Sequence, residues 1–537
     1  MSSSNSLFTN QSLQFERCIV NTDLVPVSNI TDPKFGILSL VAISSALNDR
    51  FQEFIFTVDC SGSMSDECSD GRTKMQHIIH TLKNMILYFK ENSIKAFITI
   101  NAFDDKNYKI LERSVITDEN FSEINSKVQQ ITPRGSTDIE SALKHSREIL
   151  SATKTSFPDH DISHIFMTDG EATSGNNNPN FLAQIVDIRV TNAFIGFGIQ
   201  HDTVLLNELG SCENSGYYFV DKLENCGLVY GEILHSILYK LIDNVTISIE
   251  NGLVYDFKNN IWVSSLNIGQ IVSESNKIYH IVSSSPSECV VTFSGKKTSD
   301  LTDVSFVVTG SETDELLSKY IYRQRTLQYL FKVNKYLKTK NINTINLNNW
   351  FLPSQNMQSE TVTKEEECLI QDLIDFITEM KKYMSDNDLS GDGFMKNLCD
   401  DIYICYRTFG TKFGIMYIGA RQTSQGTQRG YTVSHTPDDI SEQNKINSNY
   451  NYDDNIINSP RNNSKLVFGK LPPPKLQRHF KLQRHPALDC FNFNNLHMLQ
   501  HELSDFTEAP YLTPTSAGLM REISCSGSND AHREQEP

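Results

Sequence analysis

Two carboxylates and three hydroxyls stand where the sequence could hold a cation. The run EFIFTVD leads directly into CSGSMS, which gives Asp59, Ser61 and Ser63 in a D-x-S-x-S spacing. Farther on, PRGSTDIESAL sets Thr137 just ahead of a helical pattern, and HIFMTDGEAT ends a strand-like run at Asp169. The set offers oxygen only, without thiolate or imidazole. Such donors suit a hard divalent ion, Mg2+ or Mn2+ in particular, which keeps several waters and takes few carboxylates. Charge arithmetic explains the hydroxyls. A further carboxylate about 2 Å from a divalent ion gains roughly 16 kcal/mol at an effective dielectric near 20, and each site carboxylate about 4 Å away takes back roughly 4. Two acids leave the ion attractive to an outside acid, and Ser61, Ser63 and Thr137 hold it without cancelling its charge.

These residues need a frame that brings them together. From 36 to 243 the pattern alternates strand and helix. GILSLVAISS and EFIFTVD read as strands, and KMQHIIHTLKNMILYFKEN places Met75, Ile78, Ile79, Leu82, Ile86 and Phe89 on one helix face. KAFITINAF, SHIFMTD, AFIGFG and YYFV continue the strands, with helical segments between them. Such alternation predicts an α/β fold, a doubly wound and mostly parallel sheet with helices on both faces. In an open sheet of that kind the loops after the strands' carboxyl ends gather at one edge, where ligands bind. From 244 to 311 the period falls to two, which predicts a small antiparallel β unit. From 312 to 420 three apolar stripes predict a helical bundle. Residues 1–35 read as an N-terminal extension. The stretch 421–537 reads as a largely disordered tail, because eight of the twenty residues Asn444–Asn463 are asparagine.

In order along that alternation, DCSGS, GSTD and TDG resemble the metal-ion-dependent adhesion site of the von Willebrand factor type A (vWA) domain. The resemblance covers residues 36–243, and FIGFGIQHDTVLLNELGSCENSGYYFV is similar to the family's last strand and following helix. It implies a metal that bridges to an Asp or Glu of a protein partner. Ser61, Ser63 and Thr137 are then expected to contact the ion, with Asp59 and Asp169 acting directly or through water. Asp66, Glu67, Asp70 and Asp138 add nearby negative charge. The downstream part, with FMKNLCDDIYICYRTFG and RQTSQGTQRGYTVS, resembles the intein-associated region of some protist and giant-virus vWA proteins. Thr432–His435 fits T-x-x-H, but no His-Asn pair occurs, so autoprocessing is not expected.

Composition limits the remaining classes. The chain has 537 residues and 48 basic against 65 acidic side chains, a net charge of −17, which disfavours nucleic acid as a partner. No apolar run approaches the roughly 20 residues of a membrane span. The N-terminal MSSSNSLFTNQSLQFER lacks a secretory pattern, and eleven cysteines without a C-x-x-C predict reduced intracellular thiols. A cytoplasmic location is expected, with the virion as the alternative.

Weaker motifs have plain readings. Asp386–Asn397 imitates a calcium loop but puts Asn397 where the bidentate Glu belongs, and reads as a polar turn. His77 and His80 lack a third ligand, His497 and His501 lack the H-E-x-x-H order, and Gly196-x-Gly198 lacks a third glycine. The doubled KLQRH at Lys475–His479 and Lys481–His485 reads as a solvated linker. No general base stands at a catalytic spacing. The expected function is therefore a non-catalytic, metal-dependent interaction protein, the alternative being a structural component such as a particle protein.

Overall fold

The computed structural model describes residues 7–19, 27, 30–47, 50–68, 71–170, 172–198, 201–220, 226–344, 364–409, 414–431 and 510–525. The Asn-rich segment, both KLQRH copies, the Pro472–Pro474 run, Thr432–His435, Asp70 and the pair His497 and His501 lie outside those residues.

The Asp59 strand, β3 (Gln52–Asp59), is buried at all eight positions, which explains its nearly unbroken apolar sequence. It is central in a six-stranded sheet of order β5-β4-β3-β6-β7-β8. Its neighbours are β4 (Ala96–Phe103) and β6 (Asp161–Thr168), followed outward by β7 (Thr191–Phe197) and β8 (Ser215–Val220). These pairs are parallel, and only the edge strand β5 (Asn107–Val115) runs antiparallel. The chain leaves β3 for β4 on one side and returns to β6 on the other. The loops after β3, β4 and β6 therefore meet at a topological switch point.

Helices cover both faces. α1 (Lys74–Glu91) packs Ile78, Leu82, Met85 and Phe89 against Phe54, Phe56 and Val58 of β3. Each such buried side chain contributes about 1.5–3 kcal/mol. Thr73 starts this helix with a reciprocal cap, its hydroxyl accepting from the Gln76 amide while the Gln76 side chain accepts from its own. α3 (Ile139–Ser156) covers the opposite face, with Leu150 against Ile55 and Ile162. The remaining helices of this part are α2 (Phe121–Gln129), α4 (Pro179–Ala183), α5 (Thr203–Ser211) and α6 (Cys226–Leu238).

The second sheet is larger than its sequence suggests. Nine strands run in the order β11-β10-β13-β2-β1-β15-β14-β9-β12. Two come from ahead of the α/β part: β1 (Phe8–Ile19), which pairs parallel with β15 (Asp303–Thr313), and β2 (Lys34–Ala42). The run GILSLVAISS, read with the α/β alternation, thus contributes β2, which pairs with β1 and with β13 (Asn276–Ser283). A strand apolar on both faces does not specify which sheet it joins, and here the distant partners decide. The other members are β9 (Lys240–Glu250), β10 (Leu253–Asp256), β11 (Ile261–Val263), β12 (Ser265–Val272) and β14 (Val290–Lys297).

Beyond it, α7 (Ser318–Thr344), α8 (Lys364–Asp386), α9 (Gly393–Thr408) and α10 (Gly414–Thr427) form the helical region. Arg421 on α10 is fully buried and bonds Asp400 at 2.6 Å and Asp401 at 2.8 Å on α9. Arg323 on α7 ties the helices to the second sheet by donating to the Ile278 carbonyl at 3.0 Å. The calcium-loop imitation is a turn between α8 and α9, and Asp392 caps α9 by accepting from the Met395 amide. Within the stretch read as tail, Pro514–Cys525 forms α11, whose Leu519 and Ile523 join the core of the first sheet. Gly227 and Gly231 of α6 let its backbone come close, since a Cβ on Gly231 would lie 2.5 Å from the Met520 Cα. No helix among the described residues is long and apolar enough to cross a membrane.

Candidate metal centre

Asp59 is the last residue of β3 and fully buried, and the loop it opens folds back onto it. Its Oδ1 accepts from the Ser61 amide at 2.7 Å, and its Oδ2 accepts from the Thr168 hydroxyl at 2.5 Å. Burial pushes this carboxyl up to about 6, against the Ser61 and Thr168 hydrogen bonds and with a smaller push from Asp169. Asp169 follows β6 and is also fully buried. Ser63 links the two loops: its hydroxyl donates to Asp169 Oδ1 at 2.8 Å and lies 3.1 Å from the Ser61 hydroxyl.

Thr137 reaches the same place through the hydrogen bonds of its own and neighbouring backbone groups. The Arg134 amide donates to the Cys60 carbonyl, the Gly62 amide to Gly135, and the Asp138 amide to Asp104 after β4. The Thr137 amide donates to the Thr173 hydroxyl at 2.9 Å, while its carbonyl accepts from Thr173 and Ser174. The loop is thereby sewn to all three strand-end loops, with Gly135 in a left-handed conformation, φ +68°, flat against Asp104. The Thr137 side chain stays out of this network. Its residue is 4% exposed, and its hydroxyl makes no hydrogen bond with a described residue. A Cβ on Gly170 would lie 3.6 Å from this hydroxyl and 3.6 Å from that of Ser63, so both oxygens flank the bare face of one glycine.

Asp59, Ser61, Ser63 and Asp169 sit at or just after the ends of neighbouring strands, and Thr137, ahead of α3, is brought beside them by its loop. The donor set, two carboxylates and three hydroxyls, fits a hard divalent ion. Clusters of three or more His, Cys, Asp or Glu side chains are absent among the described residues, so any cation here depends on the hydroxyls.

Sequence reasoning missed Lys74. Its ammonium donates to Asp169 Oδ2 at 2.6 Å and to Asp66 Oδ2 at 3.1 Å, with the lysine side chain 12% exposed. Burial alone would lower its pKa, but the hydrogen bonds and charges of Asp169 and Asp66 outweigh that and raise it. Lys74 opens α1, where the helix dipole disfavours a cation, so these two acids hold it there. The only sequence signal was a lysine at a helix start, which names no partner. Thr168 was also missed, although it is the first residue of the TDG motif. Of the extra acids, Asp66 binds Lys74 and Asp138 caps α3 by accepting from the Ser141 amide.

Behind the site the sheet carries a buried polar chain. The Thr57 hydroxyl lies 2.8 Å from that of Ser146 and 3.0 Å from His164 Nε2, and His164 Nδ1 lies 3.2 Å from Asn192 Oδ1. Burial lowers His164 to about 4, which keeps it neutral.

Residues 53–229 match the family model for the von Willebrand factor type A domain. Solved structures similar to this chain include a von Willebrand factor type A protein from Catenulispora acidiphila, at 15% identity over 62% of this chain and 83% of that one, with a TM-score of 0.44. The ArnB paralog VWA2 from Sulfolobus acidocaldarius is 13% identical over 78% and 98%, with a TM-score of 0.45. Proximal thread matrix protein 1 from the mussel byssus, solved with a zinc-occupied MIDAS motif, is 21% identical over 34% and 46%, with a TM-score of 0.28. A search of curated proteins finds no match. The segment has the vWA fold, a domain type that fits interaction or adhesion and is generally non-catalytic.

Proposed function

We propose that Asp59, Ser61, Ser63, Thr137 and Asp169 hold Mg2+ or Mn2+, and that the chain uses this ion to grip an Asp or Glu side chain of a protein partner. The observation that carries the reading is the convergence of the Ser63 and Thr137 hydroxyls on the bare face of Gly170, with Ser63 also donating to Asp169. When bound, the ion supplies a positive centre that two carboxylates leave able to attract a third. The chain's own residues do the positioning: Thr168 and the Ser61 amide fix Asp59, Ser63 fixes Asp169, and the backbone sutures fix Thr137.

The protein acts without catalysis, as an adaptor. Its net charge of −17 supports a protein rather than a nucleic-acid partner, and the buried free thiols of Cys60, Cys226, Cys289, Cys399 and Cys405 fit a reducing, cytoplasmic setting. The test is a pull-down with and without a chelator, read by mass spectrometry, using the wild type and Asp59→Ala. Partners lost under both perturbations support the reading. A full set of partners retained through both refutes it.

A further inference from the structure

A second site lies away from the strand-end loops, in a cavity of about 270 Å3 between α5, the start of β8, α7 and the end of α10. Four cations line it: Lys258 from the turn after β10, Lys335 and Lys338 one turn apart on α7, and Arg429 just beyond α10. No carboxylate lines it, in a chain with an excess of 17 negative charges. None of the four makes a salt bridge with a described residue. Glu208 acts on Lys338, Asp256 and Glu213 on Lys258, and Glu232 on Arg429, each from outside the lining. Three of these acids are engaged elsewhere, Asp256 by Asn259, Glu213 by Asn267 and Glu232 by the Tyr431 amide.

The arginine is held in place. Its Nη1 donates to the Tyr217 carbonyl at 2.6 Å, and its guanidinium lies 3.8 Å from the centroid of the Tyr218 ring. Gly216 makes the space, since a Cβ there would come within 2.8 Å of Arg429 Nη2. Burial lowers the ammonium pKa of both Lys258 and Lys338, and Arg429 adds to the effect at Lys258. An anion entering the cavity would relieve that. Asn334 supplies an independent sign of a ligand. It lines the cavity, is 5% exposed, donates to Gln422 at 2.8 Å, and leaves its own Oδ1 buried with no partner. An acceptor so placed calls for a hydroxyl or N–H donor that the protein does not provide.

We propose that this cavity binds a small phosphorylated polyol, its phosphate between Lys335, Lys338, Lys258 and Arg429 and a hydroxyl donating to Asn334. The volume equals that of about nine waters, which suits a sugar phosphate and sits just below the usual range for larger ligands. The proposal is independent of the metal centre.

Titration calorimetry of the full chain with ribose 5-phosphate, inorganic phosphate and ribose tests it. Ribose 5-phosphate should bind, inorganic phosphate at least fivefold more weakly, and ribose not at all. Lys335→Ala/Lys338→Ala should weaken ribose 5-phosphate at least tenfold, with the circular dichroism spectrum and melting temperature of the free protein unchanged. Asn334→Leu should erase the preference for ribose 5-phosphate over phosphate. No binding of ribose 5-phosphate to the wild type would overturn the site, as would equal affinity in the double lysine variant. Equal binding of phosphate and ribose 5-phosphate to the wild type would overturn the role of Asn334.

Discussion

Lys74→Met should make the metal centre bind a divalent ion more tightly while weakening the metal-free fold. Lys74 now neutralises Asp169, a fully buried carboxylate, at 2.6 Å. A cation bound at Asp169 must take this acid from the ammonium, which keeps its other partner Asp66, at 3.1 Å and 56% exposed. Breaking a buried pair costs about 3–5 kcal/mol. The exposed Asp66 pair, already formed, returns no more than about 1 kcal/mol by tightening. Ion binding to the wild type therefore carries a penalty of about 2–4 kcal/mol that the variant lacks. At 1.4 kcal/mol per decade this is a gain of roughly 30-fold or more in affinity. In the metal-free variant Asp169 keeps, among the described residues, its bond from Ser63, so the melting temperature should fall, and saturating Mn2+ should restore it. Calorimetric titration with Mn2+ and thermal melts, with and without chelator, measure both quantities. The reasoning fails if Lys74→Met binds Mn2+ no more tightly than the wild type, or if its chelated form melts at the wild-type temperature.

His164, lowered to about 4 against an ordinary value near 6.5, contributes stability that is complete above pH 6.5 and is lost as pH falls toward 4. Urea unfolding of the wild type and His164→Asn should converge by about 2 kcal/mol between pH 7 and pH 5, and a constant gap would contradict the assignment. Arg421→Met leaves Asp400 and Asp401 buried without their cation and should cost about 3–5 kcal/mol. Adding Asp400→Asn and Asp401→Asn should recover most of that loss in urea melts. Gly231→Val forces a side chain into the α11 backbone, at a cost of about 1–3 kcal/mol. Proteolysis of the variant should release the C-terminal helix faster than in the wild type.

The candidate centre was legible because its parts are local. D-x-S-x-S, GSTD and TDG each sit where a strand ends or a helix begins, and β-α alternation is enough to gather such ends at one edge. What the alternation could not specify was long-range pairing. β1 reads as an N-terminal extension because its parallel partner, β15, lies some 300 residues away, with Leu13 opposite Gly310. β2 carries the same apolar pattern as β3, and only its neighbours β1 and β13 place it in the other sheet. Pro514–Cys525 lies beyond a long polar stretch, and its apolar residues gain meaning from Gly227 and Gly231, nearly 300 positions earlier. Lys74 was illegible for a similar reason, its acid being 95 residues downstream.

Lys74 also separates the two halves of the proposed function. With two carboxylates balancing a divalent ion, the centre is close to neutral, and Lys74 paired to Asp66 leaves one further acid of that loop compensated. Removing the ammonium thus subtracts one positive charge from the surface an acidic partner approaches. At a separation of roughly 8 Å and an effective dielectric near 40, one charge is worth about 1 kcal/mol, or fivefold in affinity. Lys74→Met should therefore bind Mn2+ more tightly and, at saturating Mn2+, bind an acidic partner about fivefold less tightly, with the difference shrinking as salt screens it. A lysine that only braced α1 would move both affinities in the same direction, because a loosened site holds neither ion nor partner well. Opposite signs for the two binding constants would identify Lys74 as a competitor for the ion and an attractor for the partner.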